Sequence, residues 1–358
     1  MQPTTTLDTA SADTTRFAAF DRGLGGTILR VSHLTINVSD LDRAIEFYER
    51  AYPVTRAETI EMDVQPFLGL GIERGRFRAR MMRDRQSLEG RGLLLVQWLD
   101  PAPVGEPYRS ANHVGYYRMH ANASRSGQRA RYDAVVAAGG RPYGPPSRIE
   151  IAPGYVIHSF GFRDPDGTTL EWIGPLDPTP DAPDDFLTAY NANVADLASA
   201  HAWYRSVLGL RYQARLNAPV PQPPESGSLG DLTQLPDGSP YDGPTHFDAT
   251  ILSPWGDVRN AVDLLEWTSP PSYGRPYASP TNLGTQSVTY EVTDVAHIHA
   301  KLLRLLPDPS THLLHGPEEW DLGELGRRGV LNLTDPDGLR IQFLETRVTA
   351  PADPEPRR

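Results

Sequence analysis

Two stretches of the chain carry the same pattern of apolar and polar positions. The first runs His33-Leu-Thr-Ile-Asn-Val-Ser-Asp40-Leu41 into Asp42-Arg-Ala-Ile-Glu-Phe-Tyr48. The second runs Ala189-Tyr-Asn-Ala-Asn-Val-Ala-Asp196-Leu197 into Ala198-Ser-Ala-His-Ala-Trp-Tyr204. Each predicts a strand with side chains alternating between two faces, then an Asp as helix N-cap, then an amphipathic helix. Leu41, Ala44, Ile45 and Tyr48 fall on one helical stripe, as do Leu197, Ala200, Tyr204 and Leu208.

A second pair of matches closes each half. Phe162-Arg-Asp164-Pro-Asp-Gly167-Thr-Thr-Leu-Glu171-Trp172 parallels Leu333-Thr-Asp335-Pro-Asp-Gly338-Leu-Arg-Ile-Gln342-Phe343. Asp-Pro-Asp-Gly between apolar strands is a hairpin turn, in which Pro sets φ and Gly takes φ > 0. Weaker copies fill the gaps. Leu94 to Trp98 and Asp263 to Trp267 repeat the closing strand, and Asn112 to Tyr117 and Gln286 to Asp294 repeat the opening one. Helices are predicted after both, over 124–138 (with Gly139-Gly140 as C-cap) and 295–306. The repeats thus predict two βαβββ units in each half and four in the chain.

The expected division is a disordered tail over 1–27, a first domain over 28–176, a linker over 177–186, a second domain over 187–347 and a tail over 348–358. A Pro-rich insertion over 219–244 reads as a surface loop or lid.

With 358 residues, the chain suits two domains. It has no cysteine, so any metal must be held by nitrogen and oxygen ligands. The net charge of −11 argues against a nucleic-acid partner. No apolar run is long enough for a membrane span, and the N-terminus lacks a signal-peptide pattern, so the expected location is cytoplasmic.

His-Leu-Thr-Ile-x-Val-x-Asp-Leu from His33, His113-Val before a mid-domain strand, and Asp-Pro-Asp-Gly-x-x-Leu-Glu ending at Glu171 together resemble the vicinal oxygen chelate superfamily. That group spans glyoxalase, bleomycin-resistance and extradiol-dioxygenase proteins. The resemblance runs from about Ile28 to Glu345. It implies an α+β fold in which the four βαβββ units pair into two cup-shaped mixed-sheet domains, with a divalent metal in a cup and ligands from first and last strands. Carried over, the ligands fall on His33, His113 and Glu171, and the fourth-strand position falls on Gln97. Two imidazoles and a carboxylate form a facial triad, which suits Fe(II), with Mn(II), Ni(II), Co(II) or Zn(II) as alternatives. Without the resemblance, each histidine reads as a core or capping residue, and Glu171 as the partner of Arg118 or Arg163. At the matching positions of the second half stand Ala189, Glu266, Ser287 and Gln342, so that half is expected to be degenerate.

His158, Tyr155 and Tyr117 are the candidate catalytic residues, with His120 behind them, and Gln97 and Asn37 are candidate substrate contacts. The function implied is an Fe(II) extradiol-type dioxygenase acting on a hydroxylated aromatic through its chelating oxygens. Alternatives are a glyoxalase-like isomerase, lyase or transferase, or a non-catalytic drug- or metabolite-binding protein. The partner expected is a small molecule, and the oligomeric state a monomer or homodimer.

Overall fold

The computed structural model describes residues 23–86, 91–123, 127–152, 155–175, 185–211, 214–220, 233–254 and 261–346. Residues 1–22 of the first expected tail, the whole of the second, most of the linker and the centre of the 219–244 insertion lie outside these. The end of the first tail is ordered against expectation: Leu24 is buried in the core and its N–H donates to the Val207 carbonyl at 2.7 Å.

The four expected units are present in order. The first holds β1 (Ile28–Asn37), α1 (Leu41–Ala51), β2 (Val54–Glu61), β3 (Gln65–Phe67), β4 (Ile72–Asp84) and β5 (Gly92–Asp100). The second holds β6 (Gly115–Asn122), α2 (Gln128–Ala137), β7 (Arg141–Pro142), β8 (Ser147–Ala152), β9 (Tyr155–Arg163) and β10 (Thr169–Pro175). The third holds β11 (Phe186–Asn193), α3 (Leu197–Ser206), β12 (Ala214–Val220), β13 (Thr245–Leu252) and β14 (Val262–Ser269). The fourth holds β15 (Gly284–Val292), α4 (Val295–Leu305), β16 (Glu318–Asp321), β17 (Arg327–Thr334) and β18 (Arg340–Glu345).

Local chemistry explains the helix starts. Asp40, Asp196 and Asp294 are extended N-caps, and each side chain accepts an N–H three residues on, from Arg43, Ser199 and His297. Asp164 accepts the N–H groups of Asp166, Gly167 and Thr168, which folds the Asp-Pro-Asp-Gly turn. Tyr48 donates to Asp164 at 3.0 Å, and in the other half Tyr204 donates to Asp335 at 3.1 Å. These two bonds lock a helix of one unit onto the closing turn of the next.

The strands pair differently from the expectation that 28–176 closes one cup and 187–347 the other. One sheet runs β16-β17-β18-β15-β1-β5-β4-β2, with β3 on β4, and so joins the first unit to the fourth. The other runs β12-β13-β14-β11-β6-β10-β9-β7, with β8 on β9, and joins the second to the third. The seams are antiparallel, β1 on β15 and β6 on β11. The physical reason is that β5 on β1, and β10 on β6, each leave the opening strand one free edge, and the opening strand of a unit in the other half, β15 or β11, covers it.

The main apolar core contains Leu34, Ile36, Tyr290 and Phe343 of the first sheet and Met119, Leu170, Trp172 and Tyr190 of the second. The helical stripes read from the sequence pack into it. Two smaller clusters fill the opposite faces. In the first sheet's cup these are aromatic: Phe67, Phe77, Trp98 and Trp320. In the second's they are Tyr117, Phe247, Leu265 and Trp267, beside a polar end.

Candidate functional site

The three expected metal ligands stand in three separate places. His33 is on β1 of the first sheet, 2% exposed. Its Nδ1 lies 3.1 Å from Ser32 Oγ, and its Nε2 has no partner. Burial and the nearby Arg83 hold its pKa down to about 3, so it is neutral. Its cross-strand neighbour is Thr289, which in turn donates to Gln342 at 3.2 Å. What remains of that cup is a pocket of about 50 Å³, bordered by Thr35, Trp98, Gln342 and Arg340.

His113 precedes β6 and lies outside it. Its ring is stacked 4.5 Å from that of Tyr108, meets Tyr273 edge-on, and hydrogen-bonds the Val114 carbonyl through Nδ1. Gly115 beside it has no open space: at φ +148, a Cβ there would sit 2.4 Å from the Tyr108 hydroxyl. The sequence register was therefore set too early along this strand. The residue of β6 that faces Asn191, as Ser287 faces Thr35 in the other seam, is Arg118.

Glu171 is on β10 of the second sheet, and here the polar residues do converge. Arg118 and His120 share a face of β6, and Glu171 pairs directly with His120. Arg118 Nε lies 3.1 Å from Glu171 Oε2 and donates to Asn191 Oδ1 at 2.5 Å. His120 Nε2 lies 3.2 Å from the same carboxylate oxygen and 2.6 Å from Asn191 Oδ1. Ser159 donates to Glu171 Oε1. Asn191 Nδ2 donates to Asp263 Oδ2 at 2.9 Å, which ties β11 to β14. Arg118, His120, Ser159, Asn191 and Glu171 are all buried.

Two polar atoms of this cluster are left over. Arg118 Nη1 and Asp263 Oδ1 are buried without a hydrogen-bond partner. Burial alone would raise the Glu171 carboxyl, but Arg118, His120 and Ser159 hold it below the usual range, as an anion. Burial keeps His120 neutral. Burial also pushes the Asp263 carboxyl up to about 7, against the pull of Arg118 and Asn191. Asp263, Leu265 and Trp267 alternate onto one face of β14, so the polar end continues into the apolar wall.

The remaining candidates separate cleanly. Tyr117 is in the second cup, with the Arg118 guanidinium 5.6 Å above its ring. His158 alternates with Ser159 and so turns to the opposite face of β9 from Glu171. The side chain of Tyr155 lies outside the described residues. Asn37 is spent on structure, with Nδ2 donating to the carbonyls of Pro280 and Asn282, both at 2.8 Å. Asn193 does the same toward Ala111 and His113. Gln97 faces α1, where it accepts the Leu41 N–H at 3.2 Å and donates to the Ser39 carbonyl at 2.9 Å. Glu266 accepts the Leu197 N–H in the equivalent place.

A divalent metal was expected, and the residues do not fit one. Among the described residues, no group of three His, Asp or Glu is placed to hold an ion. Glu171 has both oxygens engaged, and His33 and His113 lie elsewhere. Among the described residues, no helix is long and apolar enough to cross a membrane.

Residues 30–172 match the family model described as the Glyoxalase/Bleomycin resistance protein/Dioxygenase superfamily. No curated protein matches the chain in sequence. Among solved structures, glyoxalase I from Zea mays is similar at 15% identity, covering 88% of this chain and 92% of its own, with a TM-score of 0.55. A putative dioxygenase from Bacillus subtilis subsp. subtilis str. 168 is similar at 11% identity, covering 90% and 86%, with a TM-score of 0.50. At these identities the likeness is one of fold.

Proposed function

Residues 30–172 belong to the Glyoxalase/Bleomycin resistance protein/Dioxygenase superfamily, and the fold of a glyoxalase I extends over 88% of the chain; from this premise we propose an enzyme that moves a proton on a small oxygenated molecule in the cup of the second sheet. The observation that carries this is the pair of unsatisfied atoms at the cup's polar end, Asp263 Oδ1 and Arg118 Nη1. A buried donor and a buried acceptor left unmatched each cost free energy, and a substrate presenting an oxyanion and an acidic C–H or O–H satisfies both.

In this reading, Arg118 binds the oxyanion and stabilises charge as it develops. Asp263 takes or returns the proton, with a carboxyl held near neutrality, where a general base works best. Glu171, Ser159 and Asn191 hold the guanidinium in place. Tyr117, Phe247, Leu265 and Trp267 supply the apolar wall and keep water away.

Relatives in this superfamily typically use a divalent metal for such work. An iron dioxygenase reading needs His33, His113 and Glu171 around one ion, and their separation argues against it. The proton-transfer reading is supported instead by a cup that already contains its own cation and its own base.

The test is exchange of solvent deuterium into a panel of 2-hydroxy acids, 2-oxo acids and hemithioacetals, followed by proton NMR. The expected result is exchange into at least one compound, insensitive to EDTA and without oxygen uptake. Asp263→Asn should slow it by roughly 100-fold or more. Turnover that appears only with added Fe(II) and consumes oxygen would sink the proposal.

A further inference from the structure

The second cup contains donors of the kind that bind divalent cations: the Glu171 carboxylate and the His120 imidazole, with Asp263 beyond Asn191. We propose that Arg118 is the permanent cation of this cup and that its guanidinium keeps divalent metals out.

Each contact of the cluster supports this. Glu171 Oε2 faces Arg118 Nε at 3.1 Å, and Oε1 accepts from Ser159, so each oxygen already has a donor against it and the carboxylate's charge is met by the guanidinium. His120 Nε2 lies 2.6 Å from Asn191 Oδ1. The other nitrogen of that amide donates to Asp263, so this oxygen is an acceptor and Nε2 must carry the proton. A protonated nitrogen has no lone pair to give a metal. Arg118 itself is only 5% exposed, and a guanidinium stays charged at any pH a protein survives. A dication entering beside it meets a fixed positive charge across a few ångströms of low dielectric.

The departure from metal-bearing relatives therefore has a positive cause. The position on β6 whose counterpart on β15 is the small, neutral Ser287 holds a cation here. The inference shares with the proposed function the role of Arg118 as the cup's cation, but it is read by manganese affinity and not by the proton chemistry assigned to Asp263. Either can fail while the other stands.

Manganese titration followed by electron paramagnetic resonance tests it, on the full chain stripped with EDTA. The wild type should show no saturable Mn²⁺ binding. Arg118→Met removes the charge while keeping much of the side-chain volume, and should bind one Mn²⁺ per chain at least roughly ten-fold tighter than wild type. Adding Glu171→Gln should abolish that gain. Stoichiometric Mn²⁺ binding by the wild type that disappears in Glu171→Gln would overturn the proposal. So would an Arg118→Met variant that keeps the wild-type circular dichroism and gains no affinity. If Arg118→Met does not fold, the wild-type titration decides alone.

Discussion

Tyr108 and Tyr277 stack face to face, 3.9 Å between ring centroids and 5° from parallel, and each hydroxyl accepts the backbone N–H of the other. The two residues sit on the segments that link the first unit to the second and the third to the fourth. They join those segments by reciprocal bonds, with His113 stacked on the outer face of Tyr108. Tyr108→Phe removes the acceptor for the Tyr277 N–H. The expected cost is about 1–3 kcal/mol, read as a lower urea midpoint. His113→Ala should act in the same direction, through lost stacking, and leave kcat unchanged.

With Asp263 as the proposed base, the reaction is expected to depend on pH in a definite direction. As the base it must be ionised, and its carboxyl lies at about 7. Turnover should rise as pH climbs through neutrality and level off above. Asp263→Asn should flatten the profile as well as lower it. A rising limb that survives in that variant belongs to another group.

Stability should run the opposite way with pH. Asp164 and Asp335 are buried carboxyls, raised from 3.8 to about 6 and about 7 respectively. Because the folded chain holds their protons to higher pH than the unfolded chain, their contribution is full at low pH. It is lost as pH rises from about 4 toward 7, with a slope of up to about 1.4 kcal/mol per pH unit for each group. Asp335→Asn keeps the acceptor oxygen and removes the titration. Subtracting its urea-unfolding curve from the wild-type curve at pH 4.5 and 7.5 should isolate that slope. A difference that does not change with pH would show that Asp335 titrates normally.

Gln97 and Glu266 cap helices and touch neither cup. Gln97→Leu leaves the Leu41 N–H without its partner and should destabilise by about 1 kcal/mol. Ligand affinity and manganese behaviour should not move. The same holds for His33→Ala, whose effect should be confined to stability.

Much of the fold was legible because it is written in local chemistry. Asp40 and Asp196 cap helices as read, the Asp-Pro-Asp-Gly turns close both halves, and the stripe from Leu41 to Tyr48 is buried. Glu171 was correctly singled out as a buried carboxylate, and Arg118 stands beside it as the alternative reading had it. His113 stands just before an apolar strand, where the resemblance puts a ligand, but the strand's polar cup face begins beyond it, at Tyr117 and Arg118. Asn191 and Asp263 were not legible at all. They belong to the third unit, and no local pattern in the chain says that the third unit pairs with the second. Pairing between distant segments is decided by which free edge is covered, and hydrophobic alternation is silent on that.

The interleaved pairing of the units gives each half of the chain a share in both sheets. Two separate copies of one half would assemble the same way as a symmetric pair, and symmetry would force their two cups to be alike. A single chain is released from that constraint. One cup is filled by Phe67, Phe77, Trp98 and Trp320, while the other holds Arg118, Glu171 and Asp263. Covalent linkage thus separates two demands that a homodimer must meet with one sequence: a rigid, tightly filled interior and a polar site with atoms left to spare.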